Sequence, residues 1–477
     1  MPDMQKEDFT TPRVTNLMCE NAVRTTFADL SEWNIKCFKD RLLDTTGCVF
    51  GGAIVQDNHV LADLLKRWGG APEAPVFCHG FRAPVNNAVI LNCVTARSND
   101  FGNMFLKVHG ERMASHIDET LIPLGLTLAD MNGTDGKSFI TNNIVAEDFV
   151  GRLLYTFPVR WPADMELVSS AATVMTSRYY DFSASQMKAA LSYAATNATD
   201  PANSYYDYSQ EFKYHNGESA RCAIMSCELA KGGWAGLEDP YFGHWGLVVK
   251  RTNGEMPPLL GYAIKDLGKV YFMEESFKSF PGGIPNAPAN LAAIEVRRMM
   301  GGKVNVADIK AVDVFRSENT AYNYYSQPFS KPSQLNALFC FQFQVCCALY
   351  YGTVKVEHVQ TEFINSSPDL LALIAKSTMG VYSSGDGTPI PRGMRVRVTM
   401  KNGNIYEHTQ DAAEAMHTYP TKEFLVEKFK DQFNAYGKLP KANAEKIIEL
   451  ACNIETIKDM REFTELLVLK NNQGKPV

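Results

Sequence analysis

The chain has 477 residues, enough for more than one domain or for one large discontinuous domain. Hydrophobic residues make up 45% and charged residues 21%, the balance of an ordinary globular protein rather than a disordered or fibrous one. The formal charge of −6, without any dense block of Lys or Arg, excludes the electrostatic footprint of a nucleic-acid binder.

The opening segment, MPDMQKEDFTTPRV, has no apolar secretory core and carries acids, so it reads as neither a signal nor a transit peptide. Residues 14–50 read as helices, because Val23, Phe27, Leu30, Ile35, Phe38, Leu42 and Leu43 recur at three-to-four spacing between charged residues. The small residues Gly51-Gly52-Ala53 would let another helix approach closely. Val60–Trp68 is a short predicted helix closed by Gly69-Gly70.

The next stretch, Ala88 to Thr127, is the one around which the rest is organised. It begins apolar, becomes polar at Arg97 and turns through Asn99-Asp100-Phe101-Gly102-Asn103. It then offers Lys107, His109, Glu111 and Arg112 before an apolar helix resumes at Ile117. Irregular backbone beside a core needs partners for its amides and carbonyls, and such a loop can form a pocket floor. The plainer alternative is an ordinary helix–loop–helix connection.

Further helices are predicted over 143–154, 169–179 and 185–195, the last two Ala-rich and suited to tight packing. Residues 196–210 read as a polar, aromatic loop. Glu211 opens a helix that runs to Lys231 and stops at Gly232-Gly233. Its N-terminus offers free N–H groups to a carboxylate, and Gly217 reads either as a packing glycine or as part of a site. The texture changes near residue 270. Asn290–Met300 reads as a helix, Ile309–Phe315 as a strand, Lys331–Tyr351 as one long apolar helix and Pro368–Lys376 as a shorter one. Arg395–Met400 and Ile405–His408 form a predicted hairpin about Asn402-Gly403. From Thr421 the pattern is helical again.

The 11 cysteines lack zinc-ribbon or thioredoxin spacing, which points to reduced thiols in an intracellular protein. No apolar run reaches about 18 residues, so no transmembrane helix is predicted. No Gly-rich phosphate loop of the Walker type occurs.

Asn92-Cys93-Val94-Thr95-Ala96-Arg97-Ser98-Asn99-Asp100-Phe101 resembles the signature helix of the MmgE/PrpD family, which includes 2-methylcitrate dehydratase and cis-aconitate decarboxylase. The family text is an Asn, a small-residue helix with a His, Asp-Phe-Asp-Asp-Thr, and a loop ending in His-Pro. Asp100-Phe101 matches, and His109 is taken as the loop histidine after one fewer loop residue. Gly102, Asn103 and Met104 stand where the family has two carboxylates and a hydroxyl, and Arg97 stands in place of a histidine. Trp161, before Pro162, stands in place of a second histidine. His215 and Gly217 match a Lys-x-x-His-x-Gly segment in which Lys213 lies one place nearer the histidine. Lys278-Ser279-Phe280-Pro281 resembles the family's Lys-x-Phe/Tyr-Pro element. Tyr324-Tyr325-Ser326-Gln327-Pro328-Phe329 resembles its Tyr-x-x-x-Pro-Phe.

The expected fold is α+β. A large all-helical domain is built from both chain ends, 1–270 and 409–477, with a smaller α/β lid domain inserted over 271–408. The resemblance implies a lyase that uses neither metal nor other cofactor and dehydrates or decarboxylates a citrate- or aconitate-like polycarboxylate. Loss of either group puts negative charge beside carboxylates, so cations and proton-moving groups are needed. The implied cast is His109 and Tyr324 for proton transfer, Lys213 and His215 for a carboxylate, and Asp100 to orient His109 or Lys213. Arg97 and Lys278 would be further cations, and Trp161, Asn103 and Met104 would shape a bulkier pocket. That pocket points to an alkylated substrate of secondary metabolism. Family members are typically homodimers; the compartment implied is the cytoplasm, with the mitochondrion left open, and neither nucleic acid nor membrane is a partner. Two rival readings stand beside this one: recruitment to an isomerisation or cyclisation, and a catalytically silent binding homologue.

Overall fold

Apolar stripes and local caps account for the helices of the first half. The computed structural model describes residues 12–157, 163–198, 204–319, 323–385, 390–416 and 420–470. Its first helices are α1 (Pro12–Arg24), α2 (Glu32–Gly52), α3 (Asn58–Trp68), α4 (Val85–Arg97), α5 (Asp118–Asn132) and α6 (Gly136–Thr156). They continue as α7 (Ala163–Tyr179), α8 (Ala184–Ala194), α9 (Ser204–Asp207) and α10 (Glu211–Lys231). Ser31 caps α2 by accepting the Asn34 amide at 3.1 Å, and Asp135 caps α6 by accepting the amides of Lys137 and Ser138. α4 packs against α2 on one side and α10 on the other. Both crossings are close. A Cβ on Gly52 would sit 1.7 Å from the Thr95 carbonyl, and one on Gly217 would sit 2.5 Å from the Ile90 carbonyl. The packing reading of Gly217 is therefore the one the fold uses.

Two two-stranded ribbons lie in this half: β1 (Ala74–Val76) with β2 (Phe81–Ala83), and β3 (Leu106–Val108) with β4 (Glu111–Met113), both antiparallel. The later chain holds α11 (Leu247–Arg251), α12 (Asn286–Met299), α13 (Gln334–Leu338), α14 (Phe341–Tyr351), α15 (Thr361–Asn365), α16 (Pro368–Ile374) and α17 (Ala412–Met416). It also holds a four-stranded sheet of order β6-β5-β7-β8, made of β5 (Ile309–Ser317), β6 (Ser377–Tyr382), β7 (Gly393–Met400) and β8 (Ile405–Asp411). β5 runs parallel to β6, and the other pairs are antiparallel. Val312, Val314, Val396 and Val398 alternate inward, buried beneath α12 and α14. The chain returns to helix in α18 (Lys422–Tyr436), α19 (Lys441–Cys452) and α20 (Arg461–Thr464).

Apolar side chains gather into two main clusters. One spans Val14 to Phe277 and takes in Leu425 to Val468, so both chain ends build it. The other runs from Phe280 to Ala415 and recruits Tyr205 and Phe212. The result is a helix-rich α+β protein with small sheets. Among the described residues no helix is long and apolar enough to cross a membrane.

Two local expectations are corrected. The apolar run 331–351 is two helices rather than one, because Cys340 is extended. There the Leu338 carbonyl accepts the Gly283 amide and the Asn286 side chain, bonds that a continuous helix would not leave open. Residues 106–113 form a hairpin rather than an irregular loop. His109 and Gly110 form its two-residue turn with φ of +48° and +87°, the left-handed pair that such hairpins require.

Candidate active site

The connection from α4 to α5 forms one wall of a cleft whose other side carries Tyr205, Tyr324 and Tyr325 from the second apolar cluster. Asp100 turns the chain back with φ of +46°, its amide 3.0 Å from the Arg97 carbonyl. Met104 and Ser276 then pair backbone to backbone at 2.8 and 3.1 Å, and the Lys107 amide bonds the Glu274 carbonyl at 2.8 Å. These bonds hold Phe105 in a left-handed conformation, φ +74°, which costs a bulky residue about 1–3 kcal/mol. They also lay residues 274–278 along the loop. Lys278 Nζ consequently lies 2.6 Å from Asp100 Oδ1 and 2.9 Å from the Asp100 carbonyl. From the other side, Gln334 Nε2 donates to Asn99 Oδ1 at 2.8 Å and to the Ser98 carbonyl at 3.0 Å. Gln360 Nε2 donates to the same Asn99 oxygen at 3.2 Å.

The cavity so framed has a volume of about 350 Å³, in the range of small-molecule sites. It is lined by Asp100, Met104, Phe105, Arg112, Ala114, His116, Tyr205, Lys278, Gly283, Ile284, Pro285, Tyr324 and Tyr325. Arg112 is exposed, whereas Lys278, Asp100 and His116 are buried. Tyr325 packs under Tyr205 and Phe339, and its hydroxyl lies 1.8 Å from where a Cβ on Gly283 would be, so that position has no room for a side chain.

The charges are tightly arranged. Burial acts to raise the Asp100 carboxyl, but Arg97 and Lys278 together hold it well below the usual carboxylate range. Burial pushes the Lys278 ammonium down, against the pull of Asp100. His116 lies close enough to influence both Asp100 and Glu119 electrostatically. The cleft thus brings together two cations, a carboxylate, a histidine and several phenols beside an apolar wall of Met104, Phe105 and Ile284.

Of the residues expected from the sequence, Asp100, Met104, Lys278 and Tyr324 line this cleft together. His109, expected from the sequence beside them, does not line it. As the turn of the β3–β4 hairpin it points into an aromatic cage of Tyr155, Tyr262 and Phe272, with Nε2 3.1 Å from the Tyr262 carbonyl. The histidine that faces the cleft is His116, missed in the sequence. The signal was its position, directly before the apolar helix α5, where the loop ends. Arg97 is fully buried behind Asp100 instead of lining the cavity, and it ion-pairs with Asp100 and Glu119. Asn103 also turns away; its amide donates to Asp118 at 2.6 Å and to Glu275, in a buried cluster around Arg41. Lys213 is buried on α10 with Nζ 3.0 Å from Asn58 Oδ1, and burial lowers it to about 8. His215 Nε2 lies 2.6 Å from the Met165 carbonyl, and neither residue is among those lining the cleft. Trp161 lies outside the described residues.

The protein is thus a helix-rich α+β chain whose cleft gathers Asp100, Arg112, His116, Lys278 and three tyrosines. The MmgE/PrpD N-terminal domain matches residues 17–258, and the MmgE/PrpD C-terminal domain matches residues 286–454. The chain belongs to the MmgE/PrpD family, whose members are generally lyases of the dehydratase type. No curated protein matches it.

Proposed function

We propose that this protein is a lyase that removes water or carbon dioxide from a citrate- or aconitate-like polycarboxylate bound in the cleft. The observation that carries the reading is the convergence of His116, Lys278 and Tyr324, from three distant parts of the chain, on one cavity. Lys278 and Arg112 hold carboxylates of the substrate. His116 removes or returns the proton at the carbon beside a carboxylate, a role open to an imidazole positioned against the substrate. Tyr324 donates to the departing or newly charged group. Asp100 fixes Lys278 and is itself kept anionic by Arg97, so it presents an acceptor and not a proton donor. Met104, Phe105, Ile284 and the Tyr205 ring support an apolar arm on the substrate, hence an alkylated polycarboxylate. In this reading the second apolar cluster, with its sheet, is a lid over the helical body, and Tyr324 and Tyr325 are its contribution to the site.

The test is incubation of the purified protein with citrate, alkylcitrates and aconitates, read by mass spectrometry. Loss of a water mass marks dehydration and loss of a carbon dioxide mass marks decarboxylation. His116→Gln is expected to lower the rate about 10²–10⁴-fold, the usual contribution of a positioned acid or base. An unaltered rate in that variant would refute the assignment.

A further inference from the structure

Against the cleft wall stand four buried charged side chains: Arg97, Asp100, Glu119 and Lys278. Two cations face two carboxylates, yet the pairing is unequal. Asp100 takes a hydrogen bond from Arg97 and another from Lys278. Among the described residues Glu119 receives only Arg97 Nη1, at 3.4 Å from Oε1. Among the described residues Glu119 Oε2 has no hydrogen-bond partner, and neither have Arg97 Nε and Nη2. A buried charged oxygen left in this way is costly and needs a physical reason. The neighbouring backbone makes room for it. A Cβ on Gly102 would lie 2.4 Å from Glu119 Oε1, so a glycine at 102 is what lets the carboxylate sit there.

We propose that Glu119 is a positioning residue that sets the charge behind the cleft wall, taking up one proton from solvent as an acidic ligand docks against Lys278. The proposal rests on the polycarboxylate reading above. The groups facing Glu119 are Arg97 from α4, Asp100 from the loop after it, His116 from the entry to α5, Lys278 from segment 274–278 and Cys48 from α2. With both acids ionised, the four-residue cluster has no net charge. A ligand carboxylate beside Lys278 adds a negative charge where little water can screen it, and charge interactions are strengthened there. Asp100 cannot relieve it, because two cations hold it anionic. Glu119 can: burial already pushes its carboxyl up, and Oε2 is a vacant acceptor for the proton. Once protonated, Glu119 no longer competes for Arg97, Arg97 serves Asp100 alone, and the positive charge of Lys278 is left to the ligand.

The experiment is calorimetric titration of the full chain with tricarballylate, an unreactive tricarboxylate, at pH 7 in phosphate and in Tris. The two buffers differ in ionisation enthalpy, so the difference in heat reports protons taken up per ligand bound. The wild type is expected to take up protons, Glu119→Gln to bind without uptake, and His116→Gln to keep the uptake. Gly102→Ala, which forces the carboxylate from its place, is expected to lose the uptake as Glu119→Gln does, and it decides the matter if Glu119→Gln does not fold. Uptake that persists in Glu119→Gln, or that vanishes only in His116→Gln, overturns the proposal. Binding by the wild type with no uptake overturns this inference alone. Failure of the wild type to bind tricarballylate at all overturns the polycarboxylate reading and this inference with it.

Discussion

Replacing Lys278 with methionine separates what the buried ion pair does for the fold from what it does for a ligand. Lys278 Nζ lies 2.6 Å from Asp100 Oδ1, with both side chains 2% exposed. Removing one partner of a buried pair costs about 3–5 kcal/mol, because the other is left charged and unsolvated. Arg97 still bonds Asp100 in the variant, which places the expected loss near the lower end, about 3 kcal/mol. It appears in urea titration as a lower midpoint at unchanged slope. The same lysine is the buried cation of the cleft. Loss of one charge-assisted hydrogen bond, about 1.5–3 kcal/mol, weakens binding of a tricarboxylate roughly 10–150-fold by calorimetry. The double variant Asp100→Asn with Lys278→Met restores the charge balance around Arg97 and Glu119. It should recover much of the stability and none of the binding. Binding by Lys278→Met within twofold of the wild type, or recovery of binding in the double variant, would refute the reasoning.

Three further outcomes are expected. His109→Asn, which suits the left-handed turn, should leave turnover within about twofold of wild type while lowering stability by about 1 kcal/mol, since a single neutral hydrogen bond to the Tyr262 carbonyl is lost; a large loss of rate would return His109 to the site. Gly283→Ala places a methyl 1.8 Å from the Tyr325 hydroxyl, so the ring must shift; a loss of about 1–3 kcal/mol in denaturant titration and a raised KM are expected. Arg41→Met leaves Asp118, Glu147 and Glu275 without the cation they share and should cost about 3–5 kcal/mol at neutral pH. Burial raises the Glu147 and Glu275 carboxyls, so the folded form keeps protons that the unfolded chain releases above the usual carboxylate range. Their contribution to stability therefore falls as pH rises. The Arg41→Met deficit should shrink when urea titrations are repeated at pH 5, and a deficit that grows on acidification would contradict this.

Much of the architecture is legible in local pattern. α10 begins at Glu211 and ends at Lys231 as the apolar periodicity and the Gly232-Gly233 stop predict. The β7–β8 hairpin turns through Asn402-Gly403, and the helices after Thr421 return as expected. Asp100, Lys278 and Tyr324, which line one cavity, were named from short motifs that resemble the family's. The helices and the hairpin arise from forces that act within a few residues: burial of one face, caps, and the backbone freedom of particular turns.

What the amino-acid order alone determined was the family, the helical character of both ends and the mixed texture between them. The tertiary structure decided which histidine enters the cleft. Whether residues 104–113 form a loop or a hairpin depends on bonds from Met104 and Lys107 to Ser276 and Glu274, and only those bonds turn His109 toward Phe272 and leave His116 in the cavity. Glu119 gained its place in the same way, through space at Gly102 that no spacing along the chain displays. The parallel pairing of β5 with β6 and the break at Cys340 likewise rest on partners far away in sequence. Periodicity records that a side chain is buried, whereas the identity of its neighbour is fixed only when separate segments compete for the same hydrogen bonds and the same volume.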